Sequence, residues 1–217
     1  MAASRLVLLF AVVALQLAPA HMPTCAADPT DGFTSVPLTE ANFVIQKPYN
    51  MPLDQRYSFV NGVRRLWVFD DDEPFQAGNP TLPRTEIRFT GYDYSSGVWQ
   101  FEGYGYVPEG TTGTSIVQIH RDTNGATEMM LRVYNGELRN YRTAVVATNV
   151  YDRWMRINVI HNADTGEVRV FIDGVQGLQV VSDKGPATFY FKCGVYTQND
   201  SSHCMESRWR DIKLYMK

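Results

Sequence analysis

Tyr190-Phe191-Lys192-Cys193-Gly194-Val195-Tyr196-Thr197-Gln198 is the stretch whose reading decides the fold. Successive side chains of a β-strand point to opposite faces. On that period Phe191, Cys193, Val195 and Thr197 form one set, apolar enough for a core. Tyr190, Lys192, Tyr196 and Gln198 face the other way, with Gly194 between them. Two phenols, an ammonium and an amide make an odd solvent face, because large aromatics need cover. They suit the floor of a groove that takes a polar, anionic ligand.

The same alternation recurs along the chain. Candidate strands run over 43–46, 64–69, 84–89, 99–107, 115–120, 128–134, 138–147, 154–161, 168–172, 178–181, 189–198 and 207–215. Asn135-Gly136 and Asp173-Gly174 are hairpin turns, because both central residues of such a turn need positive φ. Apart from an apolar N-terminal run, only 39–45 has the look of a short helix. About a dozen short strands punctuated by turn residues predict an all-β fold, an antiparallel β-sandwich or jelly roll with a concave groove. Nothing after residue 47 marks a second domain, so 28–217 is read as one.

The chain has 217 residues, enough for one full core. Arg5 precedes an apolar run from Leu6 to Leu15, and small residues follow. That run is too short to span a membrane and reads as a secretory signal peptide, assigned to 1–27 with cleavage after Ala27 rather than Ala20. Its removal takes one basic residue, Arg5, and no acidic one, so the net charge moves from −3 to −4. An acidic balance disfavours nucleic acid as a partner and disfavours a membrane surface for the cleaved chain. The expected location is the secretory pathway, extracellular or apoplastic, with the vacuole as the alternative. A monomer is expected.

Cleavage after Ala27 also removes Cys25 and leaves Cys193 and Cys204. An even pair in a secreted chain predicts a disulfide, with two free thiols as the alternative. Asn199-Asp200-Ser201 is an N-glycosylation sequon, whereas Asn79-Pro80-Thr81 is blocked by its proline. The acid run Asp70-Asp71-Asp72-Glu73 lacks the spaced oxygen ligands of a calcium loop and is read as a solvated turn. No metal site and no cofactor is expected.

Three strands share the polar design of the opening stretch. Arg84, Glu86 and Arg88 alternate with Thr85 and Ile87, and Gln118 and His120 alternate with Val117 and Ile119. Arg132 and Tyr134 alternate in the same way. Taken singly, each residue has an ordinary role. Arg84 and Arg88 pair with Glu86 on a solvated strand, His120 is a surface histidine, and Tyr196 packs half-buried. Aligned in one sheet, they make a groove suited to proton abstraction beside a carboxylate. In a uronic acid the C5 proton lies α to the C6 carboxylate. Arg84, Gln118 and His120 would stabilise the charge that builds on the carboxylate, and Tyr196 would serve as acid and base. The outcome is β-elimination of a 4-O-linked polyuronate. Glu86, Arg88, Arg132, Tyr190, Lys192 and Gln198 would line the substrate path.

RTEIR at 84–88, QIH at 118–120 and YFKCGVYTQ at 190–198 resemble the three signature segments of the β-jelly-roll alginate lyases, polysaccharide lyase family seven and its relatives. The resemblance covers roughly 30–217 and implies a concave substrate groove. It maps Arg84, Gln118, His120 and Tyr196 onto catalytic positions, and Arg88, Lys192 and Tyr190 onto groove positions. DGFTSVPL, GYDYSSGVWQFEGYG, MLRVYNG, YDRWMRINVIH and MESRWRDIKLY are similar to the plant citrate-binding protein group, which shares the domain. The expected partner is therefore an anionic polysaccharide of the uronan type or citrate. A polyuronate lyase is the leading reading. A non-catalytic carboxylate binder and a wall-glycan lectin are the others.

Overall fold

The computed structural model describes residues 27–123 and 126–217. The expected signal peptide lies outside the described residues, Ala27 excepted. In chain order the strands are β1 (Thr34–Val36), β2 (Phe43–Gln46), β3 (Tyr57–Val60), β4 (Val63–Phe69) and β5 (Arg84–Phe89). Next come β6 (Val98–Tyr106), β7 (Thr114–Arg121), β8 (Thr127–Tyr134), β9 (Glu137–Asn140) and β10 (Ala144–Ala147). The last are β11 (Trp154–Asn162), β12 (Glu167–Ile172), β13 (Val175–Val181), β14 (Phe189–Thr197) and β15 (Cys204–Met216). Among the described residues the helical elements are two 3-10 turns, Glu40–Asn42 and Leu53–Gln55, the first within the stretch expected to hold a short helix.

The strands form two antiparallel sheets. One has eight strands in the order β13-β12-β11-β6-β15-β4-β3, with β1 also paired to β15. The other has seven, in the order β10-β9-β8-β7-β14-β5-β2. Hairpin chemistry sets three of the connections. Asn135-Gly136, Asp173-Gly174 and Asn61-Gly62 all take positive φ at both positions, which turns the chain between β8 and β9, β12 and β13, and β3 and β4. The expected single strand over 138–147 is two strands, because Tyr141 takes φ 52° and breaks the extended run.

Between the sheets lies one apolar core. Phe191, Cys193 and Val195 of β14 face it, as do Val117 and Ile119 of β7 and Ile87 of β5. From the other sheet come Phe101, Ile157, Met205 and Trp209. Trp209 is wholly buried and donates its indole N–H to Ser207 Oγ at 3.0 Å. Its ring fits a slot left by Gly103 and Gly105, where an added Cβ would approach it to 3.3 and 3.0 Å. Here the glycines supply space rather than a turn.

The disulfide expectation is corrected by this alternation. Cys193 points into the core, whereas Met205, Ser207 and Trp209 take the inward positions at the start of β15. Cys204 therefore faces out, and both cysteines are free thiols, one buried and one exposed. Replacing the core indole should be costly. Trp209→Ala is expected to lose about 3–5 kcal/mol of unfolding free energy. Urea denaturation followed by far-UV circular dichroism measures it, and an unchanged midpoint would contradict the packing described.

Candidate active site

The solvent side of the seven-stranded sheet carries the site. β14 lies between β5 and β7, so the three polar strands are direct neighbours. The register sets Tyr196 beside Arg84, Gly194 beside Glu86, and Lys192 beside both Arg88 and Gln118. Tyr190 sits beside His120. A bulge in the β14–β7 pairing between Cys193 and Tyr196 marks the point where the ladder is irregular. Gly194 in that interval has φ 142°, and a Cβ there would come within 2.4 Å of the Thr85 carbonyl oxygen. No other residue type fits this position without moving β5.

Glu86 holds the three strands together. It is fully buried although it points to the solvent side of its sheet. Its Oε2 accepts from Lys192 Nζ at 2.9 Å and lies 3.4 Å from Arg84 Nη1. Its Oε1 accepts from the Gln118 amide. A carboxylate in this place fixes which end of the Gln118 amide faces it, because only the NH2 end donates. Glu86 thus supports the floor of the groove from beneath rather than lining it.

Above that floor is a cleft of about 500 Å³, and Arg84, Gln118, His120, Tyr190, Lys192 and Tyr196 all line it. The Arg84 guanidinium lies over the Tyr196 ring, 3.7 Å from its centroid. His120 stacks on Tyr190 with centroids 4.6 Å apart and ring planes 13° from parallel. His120 is pushed down to about 4, chiefly by burial and then by Lys192, with Glu86 opposing. The imidazole is therefore neutral at pH 7. Its Nδ1 is buried without a hydrogen-bond partner among the described residues. Burial pulls Lys192 below the ordinary lysine range against the pull of Glu86. The Tyr190 phenol moves up, again through burial.

Three expected groove residues stand elsewhere. Arg88 lies over the Tyr190 ring at 3.9 Å and pairs with Asp93 at 2.6 Å. Arg132 donates to Met130 Sδ at 3.1 Å and faces the Tyr141 ring. Gln198 donates to the carbonyls of Tyr196 and Thr197 at 3.3 and 2.8 Å and is 9% exposed. Conversely, Gln46, Phe75, Gln76, Asn79, Thr81 and Met130 line the cleft unforeseen. Gln46 was discoverable, since it alternates onto the same side and pairs with Glu86. The 75–81 rim carried no periodic signal. Within the acid run, Asp72 turns inward to accept from Arg56 Nε at 2.7 Å and the Phe69 N–H at 2.8 Å. Asp70 and Asp71 come together with His203 on the surface, all three exposed.

The sequence profile described as alginate lyase matches residues 36–216. The chain belongs to the alginate lyase family. Within the family it groups with a citrate-binding protein of Hevea brasiliensis, 62% identical over 88% of this chain and 80% of that one. Family 7 alginate lyases share the fold. AlgAT5 superposes with a TM-score of 0.66 at 15% identity, covering 81% of this chain and 95% of its own. The lyase AlyA1 of Zobellia galactanivorans gives 0.63 at 15% identity, covering 76% and 81%. A family whose relatives are named both lyase and binding protein places the functional question on the cleft itself.

The buried charges make two measurements informative. Glu86→Ala leaves Lys192 buried without its counter-ion and should cost about 3–5 kcal/mol of stability in urea titration; a loss under about 1 kcal/mol would mean Glu86 is not the organising charge. His120, and likewise buried His161, takes up its proton near pH 4 when folded and near 6.5 when unfolded. The unfolded chain thus binds more protons across that window, so stability is expected to fall as pH drops from about 6.5 to about 4. Ring-proton chemical shifts of both histidines should stay flat above pH 5.5; titration near 6.5 would contradict their burial.

Proposed function

We propose that this protein is a secreted lyase that cleaves 4-O-linked polyuronates by β-elimination. The observation that carries the reading is the charge inventory of the cleft. Of its two lining cations, Lys192 is 1% exposed and bound to Glu86. Arg84 meets the same carboxylate only through Nη1 at 3.4 Å, and its side chain is 11% exposed against 2% for that of Lys192, so it is the cation more open to a ligand. Arg84, the second amide proton of Gln118 and the N–H of neutral His120 make a donor set for one carboxylate. A uronate residue brings one carboxylate to each subsite. Citrate brings three, and two would stay unpaired here.

Those donors bind the C6 carboxylate and stabilise the charge that reaches it as the C5–H bond breaks. His120 acts as a neutral donor, not as a cation. Tyr196 serves as the base and takes the C5 proton through its phenol oxygen. The electron pair forms the C4–C5 double bond, the C4–O4 bond breaks, and O4 recovers the proton from Tyr196. The Arg84 guanidinium over the face of that ring, 3.7 Å from its centroid, puts a positive charge beside the phenol. The chain's own residues balance the protons at every step.

The routing belongs to this reading: residues 1–27 direct the chain into the secretory pathway, to the cell exterior or apoplast, or else to the vacuole. The monomer expected from the sequence is kept. A second reading, a carboxylate binder without turnover, has the name of the Hevea brasiliensis relative in its favour. Ultraviolet absorbance of the unsaturated product separates the two. Incubation with polymannuronate, polyguluronate, glucuronan and polygalacturonate should raise absorbance with at least one of them. Tyr196→Phe should reduce that rate by about 10²–10⁴-fold and leave uronan binding in place. No rise with any polymer from folded protein, together with citrate binding that Arg84→Ala abolishes, would favour the binder.

A further inference from the structure

We propose that Asn199 carries an N-linked glycan that shields the depression beside Arg142 and Tyr134. Asn199-Asp200-Ser201 is the one sequon of the sequence with a permissive middle residue. The structure places it in the turn that follows β14, where Asn199 and Asp200 are both exposed and Asp200 takes φ 61°. The backbone of this turn is tightly held. Gln198 N–H donates to Gly113 O at 2.7 Å, and Ser202 N–H donates to Thr112 O at 3.0 Å. Arg142 Nη2 donates to Asn199 O at 2.9 Å and to Asp200 Oδ2 at 2.5 Å. The Ser201 backbone lies 2.4 Å from where a Gly113 Cβ would stand.

By contrast, the Asn199 side-chain amide makes no hydrogen bond among the described residues. Sugar is added while the chain is unfolded, so the native fold must leave the amide free and outward. This turn does so and loses no native contact. The amide nitrogen displaces the diphosphate of a lipid-linked oligosaccharide. The N–C1 bond forms, the C1–O bond breaks, and the amide proton is released as the diphosphate leaves. The product remains an amide, so the charge of the turn does not change.

The position gives the glycan a consequence. Asp200, Arg142 and Tyr134 border a depression of about 320 Å³ on the protein surface. Arg142 lies over the Tyr134 ring at 4.7 Å, and its side chain is 47% exposed. A branched sugar rooted at Asn199, one residue from Asp200, stands over that arginine.

The full chain is produced in a eukaryotic secretory host and its mass read before and after peptide N-glycosidase. The wild type should lose one glycan and show Asn199 converted to aspartate in its peptide. N199Q and Ser201→Ala should both appear at the sugar-free mass, whereas Ser201→Thr should keep the glycan. The Ser201 pair keeps the test valid if N199Q misfolds. An unmodified Asn199 in secreted protein overturns the proposal, as does a chain that never enters the pathway where the sugar is added. For the shielding, Arg142 should react with phenylglyoxal several-fold more slowly in glycosylated protein than after enzymatic removal of the sugar. Equal rates would overturn that half.

Discussion

One buried carboxylate holds the functional face of this molecule. Glu86 is removed from water on the side of its sheet that would otherwise face solvent. An unpaired charge so placed would be very costly, and the cost is offset only when hydrogen-bond donors surround it. Lys192 and Gln118 supply them, and Arg84 adds its charge at the edge. Each donor comes from one of three adjacent strands, so the ion cluster and the β-ladder specify the same register. A slip of one residue in β14 would turn Lys192 into the core and expose Phe191. Hydrophobic alternation and the buried charge forbid that slip independently.

The same cluster leaves a basic-looking face with less free charge than its sequence suggests. Arg84, Arg88 and Lys192 read as three cations from sequence, yet Asp93 takes Arg88 and Glu86 takes Lys192. The burial that locks Lys192 also keeps His120 uncharged. A cleft with one guanidinium, an amide and a neutral imidazole is the donor set on which the proposed single-carboxylate reading rests.

Much of this was legible in the chain. Period-two alternation placed Arg84, Glu86, Gln118, His120, Tyr190, Lys192 and Tyr196 on shared faces, because a strand's side-chain direction is a local property. Asn-Gly and Asp-Gly turns were readable for the same reason, and Asn61-Gly62 carried the same signal unremarked. What failed was non-local. Whether Cys204 meets Cys193 depends on which face of β15 packs inward, and Met205, Ser207 and Trp209 decide that. Gln198 sits one residue past β14, where alternation no longer applies, and it turns to its neighbours' carbonyls. Arg88 was assigned to the right face but is captured by Asp93 from a loop. The 75–81 rim has no period to read. The neutrality of His120 arises from desolvation by residues distant in sequence.

The opposite sheet carries a feature with another kind of consequence. Asp28 sits near the start of the described chain and clasps Arg156 through two hydrogen bonds of 2.5 and 2.8 Å. Arg156 in turn holds Glu102, an outward residue of β6 in the eight-stranded sheet. The polypeptide thus enters the domain across the sheet that does not bear the cleft. Any support attached ahead of Asp28, whether a resin, a sensor chip or a fused partner, would grip the molecule by its back. The cleft, on the other sheet, would then face away from the support.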